Sequence, residues 1–201
     1  MANYSNIFVK EGISYIEYRD LIVSLFKEGK ATGDDSSEEM LHYTRLNIQR
    51  MERLDKTAVL SETLLASVQA LKNRYHFLVI TEGWCGDAAQ IVPLFDKMTA
   101  AFPEKIDLRF VLRDAHLELM DAHLTGGARA IPVLLILNEA GELVARWGPR
   151  PAVAQQLLNG WKTEYADKHI RSEKLHLWYA RDKTKTTQQE IEKLIATLEE
   201  D

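Results

Sequence analysis

The chain has 201 residues and a single cysteine, Cys85. One thiol excludes an intramolecular disulfide, so no covalent framework holds the fold. There is no excess of basic residues. The formal net charge is −5, which argues against wholesale nucleic-acid binding. No stretch approaches the ~18 consecutive apolar residues of a membrane helix, and the start Met1-Ala2-Asn3-Tyr4-Ser5 lacks the basic-then-apolar character of a signal peptide. These features predict a reducing, cytoplasmic setting with no membrane partner. Phosphate-cradling glycine loops, dinucleotide glycine patterns and a Ser-His-Asp order are also missing. Six histidines are scattered, and none has a cysteine or carboxylate partner at convincing metal-ligand spacing, so no metal is expected. No repeat or low-complexity segment occurs.

What is present reads as three parts. Residues 1–75 look mainly helical. An apolar stripe runs through Ile13, Ile16, Leu21, Ile22, Leu25 and Phe26 until Gly29 and Gly33 interrupt it. Ser36 with Glu39 reads as a capping box opening a second helix that carries Leu41, Ile48, Met51 and Leu54. A third helix begins at Ser61, with Leu64, Leu65, Val68 and Leu71 on one face. These stripes read as core packing.

From about 76 to 150 the pattern alternates. Phe77–Ile80 and Val133–Leu137 are continuous apolar runs of the length of buried strands. Ile106, Leu108, Phe110 and Leu112 recur at period two, while Ile91, Val92, Phe95 and Met98 follow helical spacing. Asn138–Gly141 supplies a turn before the alternation Leu143, Ala145, Trp147. The order strand, helix, strand, short helix or loop, hairpin predicts an α/β fold with a right-handed crossover and a mixed sheet. The remainder, 151–201, is helical. Asn159-Gly160 is a candidate break, and Thr187 with Glu190 a candidate capping box before Ile191, Leu194, Ile195 and Leu198. The segment Lys162–Lys185 leans basic, most simply as a solvated helix face.

The most informative stretch is Trp84-Cys85-Gly86-Asp87-Ala88, directly after a buried strand. Together with Pro93 inside the next helix, Ala130-Ile131-Pro132 opening the next strand, and the hairpin turn behind it, this stretch resembles the thioredoxin-like superfamily, in a variant with Cys-Gly-Asp-Ala in place of Cys-Gly-Pro-Cys. The resemblance implies a thioredoxin-like domain over 59–165: a central mixed sheet flanked by helices. It leaves a helical N-terminal extension, 1–58, and a C-terminal helical extension, 166–201, packed on the domain. It also implies that the Ile131–Pro132 bond is cis and faces the thiol, with Ile131 offering backbone groups to a bound chain or to glutathione. Two positions depart from the family. Ala88 stands where a resolving cysteine would be, and Val79 where a buried aspartate would serve it. The pairing of these two losses excludes a dithiol reductase.

In this frame Cys85 is the candidate catalytic residue, at a helix N-terminus whose free amides favour a thiolate. Asp87 opposes that. At ~5 Å and an effective dielectric near 20, a carboxylate repels a thiolate by roughly 3 kcal/mol. A plainer role for Asp87 is to bond first-turn amides. Trp84 would shield the thiol, with surface packing as its alternative. Arg129 would attract an anion or simply be solvated. Trp178-Tyr179, with Arg181 and Lys183, would dock a partner, cover the thiol or anchor the last helices.

Two functions follow. One is monothiol exchange, in which Cys85 attacks a disulfide-containing protein and an external thiol such as glutathione resolves the mixed disulfide. The other is a redox-inactive binding module that recognises a peptide or partner protein through the cis-proline groove. Retention of Trp84, Cys85 and Gly86 places exchange first. No cofactor is expected, and the oligomeric state is left open.

Overall fold

The structure, a computed structural model, describes residues 2–199. Strand β1 (Tyr75–Thr81) lies in the centre of the sheet, and every side chain from Phe77 to Thr81 is fully buried. Its run of β-branched and aromatic residues suits a strand covered on both faces. It pairs in parallel with β2 (Ile106–Leu112) and antiparallel with β3 (Val133–Leu137), and β3 pairs antiparallel with β4 (Leu143–Trp147). The order is β2-β1-β3-β4, a mixed sheet as expected from the alternating segments.

Nine α-helices surround the sheet among the described residues. Those preceding β1 are α1 (Ser5–Lys10), α2 (Tyr15–Lys27), α3 (Glu38–Thr57) and α4 (Glu62–Gln69). Helix α5 (Gly86–Ala101) makes the crossover between β1 and β2, and the short α6 (Leu117–Asp121) precedes β3. The chain ends in α7 (Ala152–Glu164), α8 (Lys168–Asp182) and α9 (Lys185–Ala196). Helix α3 packs along α5, α4 along α9, and α7 along α8. One hydrophobic cluster contains Phe8, Tyr18, Ile22 and Met51 from the N-terminal helices, the sheet, and Ile191 and Ile195 from α9. The helical ends therefore share the core of the sheet.

The start of the chain reaches both margins of that sheet. Asn3 bridges Glu142 beside β4, with the Tyr4 amide donating to the Gly141 carbonyl at 2.8 Å. Ten residues later Ile13 pairs with Phe110 on β2 through two backbone hydrogen bonds of 2.8 and 2.9 Å. Gly141 has φ +81° and lies against the backbone of Ser5, so both its dihedral and its lack of a Cβ are required there.

Several local expectations are corrected. Ser37, not Ser36, caps α3 by accepting from Met40, because the Ser36 hydroxyl accepts the Ala31 amide instead. Thr187 and Glu190 form no capping box. Helix α9 begins earlier, at Lys185, and the Glu190 carboxylate reaches across to the Trp147 indole at 2.9 Å and the Ala152 amide at 2.7 Å. Asn159-Gly160 does not break α7. Gly160 sits on an open face of the helix, and Asn159 accepts from Gln155 one turn earlier.

Candidate functional site

Cys85 is the N-cap of α5, placed there by the short turn that ends β1. Its Sγ accepts the Ala88 amide at 3.4 Å and donates to the Ile131 carbonyl at 3.3 Å. The Ile131–Pro132 peptide is cis. The thiol and the Ile131–Pro132 segment, 46 residues apart in sequence, are thus in direct contact. Cys85 is only 7% exposed, and its thiol is pushed up to about 12, first by burial and second by the Asp87 carboxylate, against the Ala88 amide and Arg150. The helix N-terminus does not overcome desolvation here.

Asp87 departs from the first-turn-amide role. Its carboxylate accepts Arg150 Nη2 at 2.6 Å and Nε at 3.1 and 3.2 Å, and the Tyr179 hydroxyl at 2.6 Å. Both members of the ion pair are largely buried, at 14% exposure for Arg150 and 9% for Asp87. Arg150 follows a second cis bond, Gly148–Pro149, and its remaining Nη1 donates to Gln155. The Tyr179 phenol, buried against this carboxylate, is held far above its ordinary range. So α8 is tied to the first turn of α5, and of the three roles read for Trp178-Tyr179, Tyr179 anchors the C-terminal helices to the domain.

Gly86 is explained by the same helix. A Cβ there would lie 2.6 and 2.7 Å from the His176 ring of α8. Burial, helped by nearby Arg50, pushes His176 down to about 4, so its ring is neutral at ordinary pH. Gly86→Ala is expected to force α8 outward and destabilise the protein by about 1–3 kcal/mol, the usual cost of overpacking. Chemical denaturation measures this, and an unchanged midpoint would mean that the ring moves freely.

Trp84 is half-buried, with the Arg113 guanidinium stacked 4.7 Å from its ring centroid. Arg129 is exposed and pairs with Asp121 at 2.6 and 2.7 Å. A groove of about 450 Å³ opens beside the thiol, lined by Trp84 to Asp87, Ile131, Arg113 and Arg129 on the sheet side and by residues of α3 and α8 opposite. Cys85 and Ile131 lie on its wall, Ala88 is buried beneath it, and Pro132 is buried behind Ile131.

Sequence reasoning missed Arg150, His176 and Glu82. Glu82 is fully buried, accepts the Asp114 amide at 3.0 Å, and has no partner for Oε2 among the described residues. Burial raises its carboxyl above the usual range. A carboxylate beside the Gly-Trp-Cys stretch was the available signal. His116 is the N-cap of α6 and bonds Glu11, while His123 bonds Tyr4. No group of three or more His, Cys, Asp or Glu side chains among the described residues could hold a metal ion, and no helix among them is long and apolar enough to cross a membrane.

A parallel β1-α5-β2 unit joined to an antiparallel hairpin, with a cysteine at the helix tip against a cis X-Pro bond, defines a thioredoxin-like protein with one thiol. A family model described as Thioredoxin matches residues 33–168, and the chain belongs to that family. No curated protein matches the chain. A crystal structure of a protein of unknown function from Pseudomonas aeruginosa is similar over 98% of this chain and 99% of that one, with TM-score 0.63 and 19% identity. An HIV epitope-scaffold is similar over 92% of this chain and 99% of its own, with TM-score 0.51 and 20% identity. At these identities the likeness is one of fold.

Proposed function

We propose that the chain is a thioredoxin-fold binding module that is redox-silent in this conformation, its ligand held by the walls of the groove beside Cys85. The reading rests on the state of the thiol. With Cys85 only 7% exposed and burial pushing its thiol up to about 12, almost none of it is ionised at pH 7. The thiolate is the nucleophile, so monothiol exchange, the function placed first on sequence grounds, loses its reagent. The peptide-pairing mode of the alternative also changes. The Ile131 carbonyl, which would pair with an extended chain, already accepts the thiol. Side chains around the groove are left to make the recognition.

Iodoacetamide tests this. Native protein at pH 7.5 should stay unmodified at Cys85, while protein unfolded in urea is alkylated at once. Native alkylation at the rate of the unfolded chain would return Cys85 to exchange chemistry.

A further inference from the structure

We propose that the groove beside Cys85 binds a small organic anion: an apolar body carrying one carboxylate or phosphate. This inference deepens the binding-module reading and depends on it. It stands on the charge of the groove wall and on where the counter-charges lie.

The chain as a whole is acidic, with 30 acidic and 25 basic side chains. The groove reverses that balance. Arg113, Arg129, Arg150, Lys168 and Arg171 line it, against only Glu39 and Asp87. Asp87 is consumed by Arg150 and Tyr179, and Glu39 pairs with Lys168 at the exposed rim. The carboxylates that pair with Arg113 and Arg129, Asp114 and Asp121, are not part of the lining. Arg171 has no carboxylate within salt-bridge distance among the described residues. One of its nitrogens, Nη1, donates to the Tyr165 and Ala166 carbonyls at 2.6 and 2.8 Å. A guanidinium bonded only to neutral carbonyls keeps its full charge for a ligand, and its planar fork suits carboxylate and phosphate alike. Four of the five cations thus already hold a carboxylate, and the unmatched positive charge facing the groove is that of Arg171; in a concave site it attracts an anion.

The rest of the wall is apolar. Met40, Trp84, Ile131, Leu158 and Leu175 line it, Leu175 and Ile131 being buried. A volume of about 450 Å³ lies within the range of small-molecule sites. An inorganic anion would leave this apolar wall uncovered, and a neutral hydrocarbon would leave Arg171 unmatched. An amphipathic acid satisfies both.

The experiment uses the full chain and anilinonaphthalene sulfonate as a fluorescent probe, displaced by naphthoate, naphthyl phosphate and the neutral naphthylmethanol. Both anions should displace the probe, and naphthylmethanol should be at least about tenfold weaker, the scale of one lost charge-assisted contact. Arg171→Met should weaken naphthoate by about tenfold, and added salt should weaken it further. Because Arg171 also holds the start of α8, Lys168→Met serves as the second variant. Its ammonium is exposed, so the fold should tolerate it, and it too should weaken the anion several-fold. Lys10→Met, on α1 and outside the groove, should change nothing. Equal displacement by naphthoate and naphthylmethanol overturns the anion assignment while leaving a binding groove. Binding that responds to neither groove variant also overturns it. Absence of binding by all the ligands removes the binding-module reading as well.

Discussion

Replacing Arg150 with methionine is expected to destabilise the fold by about 3–5 kcal/mol, the cost of stranding one member of a buried pair. The pair is nearly closed to water, and removing the guanidinium leaves the Asp87 carboxylate with only the Tyr179 hydroxyl. For a chain of this length that corresponds to a fall of roughly 6–20 °C in the melting temperature. Adding Asp87→Asn to the same variant should recover a substantial part of the loss, since the stranded charge is then gone. Urea unfolding of the two single variants and the double variant completes the cycle. A loss below about 1 kcal/mol for Arg150→Met would show that water reaches the pair.

Thiol–disulfide exchange between native Cys85 and a small disulfide is expected to be at least about 100-fold slower at pH 7 than exchange with an unstructured cysteine. A thiol near 12 has a thiolate fraction about 3,000-fold smaller than one near ~8.5. The more basic thiolate is the better nucleophile, and a Brønsted slope of about 0.4–0.5 returns some 40-fold of this. Burial slows the reaction further. The rate should climb about tenfold per pH unit while the fold survives. Asp87→Asn should raise it, because the carboxylate is the second cause of the upward shift and its loss leaves the Arg150 charge beside the sulfur. The thiol should still titrate above an ordinary cysteine, because burial is the first cause. Exchange as fast as the unstructured control would contradict the buried geometry. A slower rate in Asp87→Asn would mean that the carboxylate does not repel the thiolate.

The strands were legible because each is a short apolar run or a period-two alternation bounded by turn residues, and burial within a sheet demands such runs. The position of Cys85 at a helix tip was legible through the thioredoxin-like resemblance, supported by the helical spacing of Ile91, Val92, Phe95 and Met98 behind it. The partners of the site were not. Arg150 and Tyr179 reach Asp87 across 63 and 92 residues, and no local pattern encodes contacts of that range. Asp87 looked like an ordinary first-turn acid for the same reason. The basic lean of Lys162–Lys185 read as a solvated face, yet α8 turns Lys168 and Arg171 toward the groove. Both capping boxes misread from sequence failed because another group claimed one member: the nearby Ala31 amide took Ser36, and the distant Trp147 took Glu190.

Residues Ala2 to Ile13 act as a clasp on the sheet, since one short segment is hydrogen-bonded to both of its margins. Peeling that segment away would free the Phe110 amide and carbonyl on β2 and the Leu143 amide on β4 in a single event. Either edge could then recruit a strand from a neighbouring molecule. Self-association of this protein should therefore switch on abruptly when its first dozen residues detach, long before the core around β1 loosens.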